Sequence, residues 1–248
     1  TSDTALLMCV RNEDVGRVER NVAELIAELE PTGELDRFAV HILSDTNDLA
    51  IAREEEASLA RLKARFPSAR IDYRRRLVNT GYKAGNVWDF FETRGDDYTF
   101  AITLDADSFM SGARILEMVR IAEAHPRLGI LQSMINALPT LSPFARVFQF
   151  GMRLGMLSWT IGSSWWQADC GPYWGHNAVI RIAAFKAHCR LDPLPGDPPF
   201  GGTILSHDQV EAAVMRRGGY EVRVIPEDGG SHEVNPPNLV EFTRRDLR

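Results

Sequence analysis

The sequence predicts an α/β fold, a mostly parallel, doubly wound sheet with helices on both faces. Three observations carry that prediction. Short apolar runs alternate with segments whose apolar residues recur at helical spacing. The run Phe100-Ala101-Ile102-Thr103-Leu104 reads as a buried strand that ends on Asp105-Ala106-Asp107. Gly81-Tyr82-Lys83-Ala84-Gly85-Asn86 is a glycine-punctuated loop that opens a helix. In open α/β sheets, ligands bind outside the carboxyl ends of the strands, so Asp105 and Asp107 emerge where a site is expected.

Taken in order, residues 5–10 read as a strand. Residues 14–29 read as a helix because Val15, Val18, Val22, Leu25, Ile26 and Leu29 share one face, and Pro31-Thr32-Gly33 ends it. A second strand follows at 38–43, a second helix at 49–66, a short strand at 70–73 and a helix at 83–93. The central strand, 100–104, leads to a helix at 113–124 and a strand at 128–132. The rest differs in character. An apolar helical segment at 144–161 gives way to aromatic and Gly/Pro-rich loops, including 193–202, and a helix runs from about Ser206 to Arg217. No internal repeat appears. One domain over 1–248 is expected, with a nucleotide-side half at about 1–135 and a second half at about 136–248.

Composition narrows the class. Charged residues make up 25% and apolar residues 44%, the balance of an ordinary globular domain. The net charge of −6 argues against a nucleic-acid partner, which would need a basic stripe. Cys9, Cys170 and Cys189 are odd in number, far apart and lack C-x-x-C spacing. Neither a disulfide framework nor a zinc site is expected, and a reducing, cytoplasmic setting fits best. No signal peptide opens the chain, and no run of about 18 apolar residues spans a bilayer. Both ends look cut, Thr1 just before a strand and Arg248 in a helical-looking segment, so an excised domain of a longer protein is expected.

Several segments carry chemistry. Asp105 and Asp107 offer two hard oxygen ligands, which suit a divalent cation carrying a diphosphate. The plainer alternative is an aspartate capping the next helix. Asp45, ending the second strand, can bond a ribose hydroxyl or a base N–H, or cap the following helix. Lys83 beside a helix N-terminus favours an anionic ligand, or is simply solvated. Arg74-Arg75-Arg76 reads as a solvated face, with a phosphate or lipid-headgroup contact as the alternative. Around Trp174-Gly175-His176-Asn177, a ring can pack on a sugar face and Asn or His can orient hydroxyls. Core packing is the alternative for Trp174. Asp208, near a helix start, is a candidate general base or a charge favoured by the helix dipole. Ser231-His232-Glu233 offers a further metal ligand or a site orienter, or is structural.

In sequence order these segments resemble the cytosolic catalytic domain of processive, membrane-embedded family 2 glycosyltransferases, the class of cellulose and hyaluronan synthases. Asn12-Glu13 matches the family's N-E after the first strand, and Asp45 its first nucleotide-binding aspartate. Lys83-Ala84-Gly85-Asn86 matches its K-A-x-N loop and Asp105-Ala106-Asp107 its D-x-D. Gly175-His176-Asn177 stands at its G-[ST]-x segment. Ser206-His207-Asp208 stands at its T-E-D, keeping only the aspartate. The family's Q-x-x-R-W would follow Arg244-Arg245-Asp246-Leu247-Arg248, and the chain stops around its arginine. Longer phrases are similar to the branch that builds osmoregulated periplasmic glucans. They include Leu104-Asp105-Ala106-Asp107-Ser108-Phe109-Met110-Ser111-Gly112, Tyr173-Trp174-Gly175-His176-Asn177-Ala178, and Pro199-Phe200-Gly201-Gly202 leading to Leu205-Ser206-His207-Asp208.

The resemblance implies a GT-A fold and inverting transfer of glucose from UDP-glucose onto a growing β-glucan at the cytoplasmic face of the bacterial inner membrane. Mg²⁺ or Mn²⁺ would be held by Asp107 with Asp105. Asn12, Glu13, Asp45, Lys83, Asn86 and Asp105 would bind the donor. Trp174, Gly175, His176, Asn177 and His207 would lie on the acceptor side, with Asp208 as the catalytic base. The expected partners are UDP-glucose, a glucan acceptor and the remainder of a transmembrane chain. Two other classes compete. A UDP-sugar sensor acting through a protein partner has no need of Asp208. A nucleotidyltransferase would show a Gly-rich phosphate loop after the first strand, where this chain reads Val10-Arg11-Asn12-Glu13-Asp14.

The segment 144–166 carries charge only at Arg146 and Arg153. A helix apolar all round is usually buried. The alternative is an interfacial helix against the membrane or a transmembrane part of the same chain, a boundary that suits Trp and Arg.

Overall fold

The computed structural model describes residues 1–197 and 201–246, with side chains as far as Arg244. Pro198, Pro199 and Phe200 of the 193–202 loop, and Leu247 and Arg248, lie outside the described residues. The expected alternation is present. The chain runs β1 (Thr4–Val10), α1 (Val15–Leu29), β2 (Phe38–Ser44), α2 (Leu49–Arg65), β3 (Arg70–Arg75), α3 (Tyr82–Arg94), β4 (Phe100–Asp105), β5 (Phe109–Met110), α4 (Gly112–Ala124), β6 (Leu128–Ser133) and β7 (Asn136–Ala137). It continues through α5 (Pro143–Gln167), β8 (Ala178–Arg181), α6 (Ile182–His188), α7 (His207–Arg217), β9 (Glu221–Ile225), β10 (Ser231–Glu233) and α8 (Leu239–Asp246). Helix starts follow the side chains. Asp14, Asp48, Ser111 and Ser142 cap α1, α2, α4 and α5, each accepting from a backbone N–H of the first turn.

Seven strands form the main sheet in the order β3-β2-β1-β4-β8-β6-β9. Only β8 runs antiparallel to its neighbours. Side chains alternate along each strand, so β1 serves two cores. Leu6 and Met8 pack with Ile26, Phe38 and Val119 on one face. Ala5 and Leu7 pack with Phe90, Phe91 and Phe185 on the other. β1 lies between β2 and β4, so the strand order reverses there. The crevice at the carboxyl ends of β1 and β4, where Cys9 pairs with Asp105, is the expected place for a ligand.

Two expectations change. The second half supplies β8 and β9 to the main sheet, where only loops and helices were expected. A smaller sheet, β5-β10-β7, sits beside it. The buried-core reading of 144–166 also fails. Within α5 only Ala145, Gln149 and Thr160 are buried. Phe144 and Phe148 pack on Phe242 of α8, while Phe150 is 67% exposed and Trp165 and Trp166 are each 82% exposed. Among the described residues, no helix is long and apolar enough to cross a membrane.

Candidate active site

A cleft of about 710 Å³ opens at the carboxyl edge of β1, β2 and β4. Glu13, Asp45, Lys83, Asn86, Asp105, Asp107 and His207 all line it. The loop after β4 is pinned by its own turn. Ser108 N–H donates to Asp105 O at 3.0 Å, Asp105 N–H donates to Ser108 Oγ at 3.2 Å, and Asn21 donates to Ala106 O at 2.8 Å. The next helix takes Ser111 as its cap, which removes the capping alternative for Asp105 and Asp107. Lys83 pairs with Asp105. Burial pulls the Lys83 ammonium down, but Asp105 outweighs it and holds the group above its ordinary value.

Burial, then the neighbouring Asp105 and Glu233, hold the Asp107 carboxyl above the usual carboxylate range. Crowded acidic oxygens of this kind fit a hard divalent cation. Among the described residues, no three His, Cys, Asp or Glu side chains form a group that could hold a metal ion.

Asp45 is buried, 7% exposed, and does not cap α2, whose cap is Asp48. Arg76 grips it through Nε–Oδ1 at 2.8 Å and Nη2–Oδ2 at 2.9 Å. With its amide oriented to suit both neighbours, Asn79 donates to Asp45 Oδ2 and accepts from Arg11 Nη1, each at 3.1 Å. The solvated-face reading of 74–76 is thus corrected. Arg74 pairs with Asp89 and Asn86, Arg75 reaches Thr46 O, and Arg76 holds Asp45, because the end of β3 runs beside the polar end of β2. Glu55 is a further buried support. It accepts from Ser44, Thr46 and Tyr73 hydroxyls at 2.7, 2.6 and 2.8 Å.

Other predicted residues are drawn into the scaffold. Asn12, at φ 52°, joins the loops after β1 and β2 through Thr46, Asn47 and Asp48. Glu13 pairs with Arg17 at 2.5 Å. Asn86 is buried, donating to Leu43 O and accepting from Arg74. Gly85 is required for contact, since a Cβ there would meet Thr80 O at 2.0 Å. Cys9 also lines the cleft, and burial pushes its thiol up to about 12, which favours the neutral thiol.

On the far side, Trp174 is half-buried and its backbone N–H donates to Gln132 Oε1 at 2.9 Å. His176 and Asn177 turn inward. The His176 ring lies between Trp174 O at 3.0 Å and Glu233 Oε2 at 2.8 Å, with Asp105 Oδ2 at 3.7 Å. Burial pulls its pKa down, but Asp105 and Glu233 hold it above the ordinary histidine value. Asn177 donates to Ser231 Oγ at 2.8 Å. Gly175, at φ +79°, lies against Asp208: a Cβ there would come within 3.5 Å of the Asp208 Cβ. Asp208 accepts from Gln209 N–H in the first turn of α7, and His207 Nδ1 lies 3.0 Å from Glu211 Oε2. Arg76, as the partner of Asp45, and Glu55 are the contributors that sequence reasoning left unassigned. The arginine run was the visible signal for the first, and the second carried none. Glu233, read from the sequence as a metal ligand, a site orienter or a structural residue, lies against His176.

No protein-family model matches the chain. Over 246 residues it is 44% identical to glucans biosynthesis glucosyltransferase H of Cereibacter sphaeroides, covering 99% of this chain and 41% of that protein. It is a relative of glucans biosynthesis glucosyltransferase H. The protein of that name from Caulobacter vibrioides is 41% identical over 99% of this chain and 37% of its own. The one from Dickeya dadantii is 44% identical over 99% and 29%. The chain thus spans well under half the length of these glucosyltransferase H relatives. The fold is of the GT-A type. A mannosyltransferase from Pyrobaculum calidifontis in complex with GDP-Man and Mn²⁺ superposes with TM-score 0.62 at 13% identity, covering 100% of this chain and 65% of that one. S. aureus TarS 1–349 in complex with UDP-GlcNAc gives 0.56 at 11% identity, covering 97% and 61%.

Proposed function

We propose that the chain is the catalytic domain of an inverting glucosyltransferase. It moves glucose from UDP-glucose onto a growing β-glucan of the osmoregulated periplasmic class, at the cytoplasmic face of the bacterial inner membrane. The observation that carries this reading is the convergence of Asp45, Lys83, Asp105 and Asp107 on one cleft, in a chain related to glucosyltransferase H throughout. Asp45, braced by Arg76, would take the nucleoside end of the donor, and Lys83 would face the diphosphate. Asp208, beside Gly175, would accept the proton of the attacking hydroxyl. The acceptor oxygen bonds to C1 from the opposite face as the bond from C1 to the UDP oxygen breaks, which inverts the anomeric centre. When bound, Mg²⁺ or Mn²⁺ held by Asp107 with Asp105 would offset the charge developing on the leaving diphosphate.

Residues from both halves meet in one sheet, and within that domain the division near residue 135 would separate a donor side from an acceptor side. The outward face of α5 would rest on the membrane surface or on the remainder of the transmembrane chain. Calorimetric titration with UDP-glucose and UDP-N-acetylglucosamine, each with and without Mn²⁺, tests the donor assignment. Metal-dependent binding of UDP-glucose alone is expected. Binding of neither donor, in this chain and in the full-length protein, would overturn it.

A further inference from the structure

We propose that Glu233 is a positioning residue for the Asp105–Asp107 loop, acting through His176. The inference rests on the reading of that loop as part of a glucosyl-transfer site. Glu233 and His176 are 14% and 8% exposed, and Glu233 Oε2 lies 2.8 Å from His176 Nε2. At the other side of the ring, Nδ1 lies 3.0 Å from Trp174 O and 3.7 Å from Asp105 Oδ2. Acceptors at both nitrogens set the orientation of the imidazole, and the ring then stands near Asp105 Oδ2 while Lys83 pairs with Oδ1.

The strand that carries Glu233 is also tied to the loop through the backbone. β5 begins two residues after Asp107, and β10 pairs with it, Ser231 opposite Met110 and His232 opposite Phe109. Ser231 accepts from Asn177, the neighbour of His176. β10 therefore clasps the acidic loop by its following strand and by two side chains of the segment before β8. A reactive constellation works only if its members are held to within about 0.5 Å, and the supporting groups supply that precision. Without the Glu233 carboxylate, the ring loses its partner at Nε2, and its orientation against Asp105 is no longer fixed from both nitrogens.

The test uses the full-length protein with Glu233→Ala, Glu233→Gln, His176→Ala and the double variant Glu233→Ala/His176→Ala. Two readouts are taken: steady-state transfer from UDP-glucose, and amide hydrogen exchange without ligand. Glu233→Ala and His176→Ala should each lower kcat by about 10- to 100-fold, as loss of a supporting partner does elsewhere. KM for UDP-glucose should change little, and the double variant should be no slower than the slower single one. Exchange over residues 105–110 should quicken by about tenfold in Glu233→Ala. Glu233→Gln, which keeps a hydrogen-bond partner for Nε2, should restore protection. Losses that multiply, or unchanged exchange over 105–110, would overturn the positioning role. So would exchange that quickens equally across β1 and β4, since Glu233 would then support the whole fold. If the wild type transfers nothing from UDP-glucose, the functional reading fails, and the exchange pattern alone decides the role of Glu233.

Discussion

Replacing Arg76 by alanine removes both guanidinium donors from Asp45 and leaves a carboxylate that is 7% exposed. Arg76 itself is 13% exposed, so the pair is largely shielded from solvent. Breaking a buried pair by removing one partner costs about 3–5 kcal/mol, because the other charge is stranded. Asp45 borders an open cleft and keeps Asn79 as a donor, so the lower end, about 3 kcal/mol, is expected here. For a domain of this size, about 2–4 °C is lost per kcal/mol, which gives a fall in Tm of about 6–12 °C. Arg75→Ala is the control. Its contact with Thr46 O is 3.4 Å long, and a change within about 0.5 kcal/mol is expected. Adding Asp45→Asn to Arg76→Ala should recover part of the loss, because the stranded charge is gone. Urea and thermal unfolding followed by circular dichroism would measure all four proteins. If Arg76→Ala shifts stability no more than Arg75→Ala does, the pair is solvated and the reasoning is refuted.

Asp208→Asn should lower glucosyl transfer by about 10²–10⁴-fold while sparing UDP-glucose binding, and near-normal turnover in the full-length protein would remove Asp208 as the base. Asp107→Ala should weaken the metal-dependent part of UDP binding; an unchanged Mn²⁺ dependence in a calorimetric titration would sink that assignment. Burial, partly offset by Asp72, pushes His41 down to about 4, below its unfolded value of 6.5. The folded state then binds fewer protons between those values, so stability should fall by about 3 kcal/mol as pH drops from 6.5 to 4, and this group adds nothing below that. His41→Phe should flatten that part of the curve in urea melts, and an unchanged slope would refute the assignment. Trp165→Ser with Trp166→Ser should alter stability by no more than about 0.5 kcal/mol each, yet lower binding to anionic vesicles; unaltered vesicle binding would remove α5 from any membrane contact.

The first half of the fold was legible because β1, β2 and β4 are largely apolar runs of six or seven residues, set between helices with one apolar face. The second half lacked such windows. β8 is four residues long and passes directly into α6. β9 did carry a signal, Val222 and Val224 alternating with Glu221 and Arg223, which a period-two reading would have found. The acidic residues at strand ends were legible for a related reason: a carboxylate closing a buried strand has few structural tasks there. Their partners were not. Arg76 is 31 residues from Asp45, and Glu233 is 57 from His176. No local pattern links residues so far apart; sheet register brings them together.

The helix α5 shows a different limit. Its composition requires that some surface cover it, and says nothing of which one. Phe144 and Phe148 find α8, whereas Phe150, Leu154, Trp165 and Trp166 face outward. Burying one large apolar side chain is worth about 1.5–3 kcal/mol. Four such groups along one helix therefore offer more free energy to a covering surface than most single contacts within the domain supply. A chain that kept this face in water would forgo that gain and invite self-association.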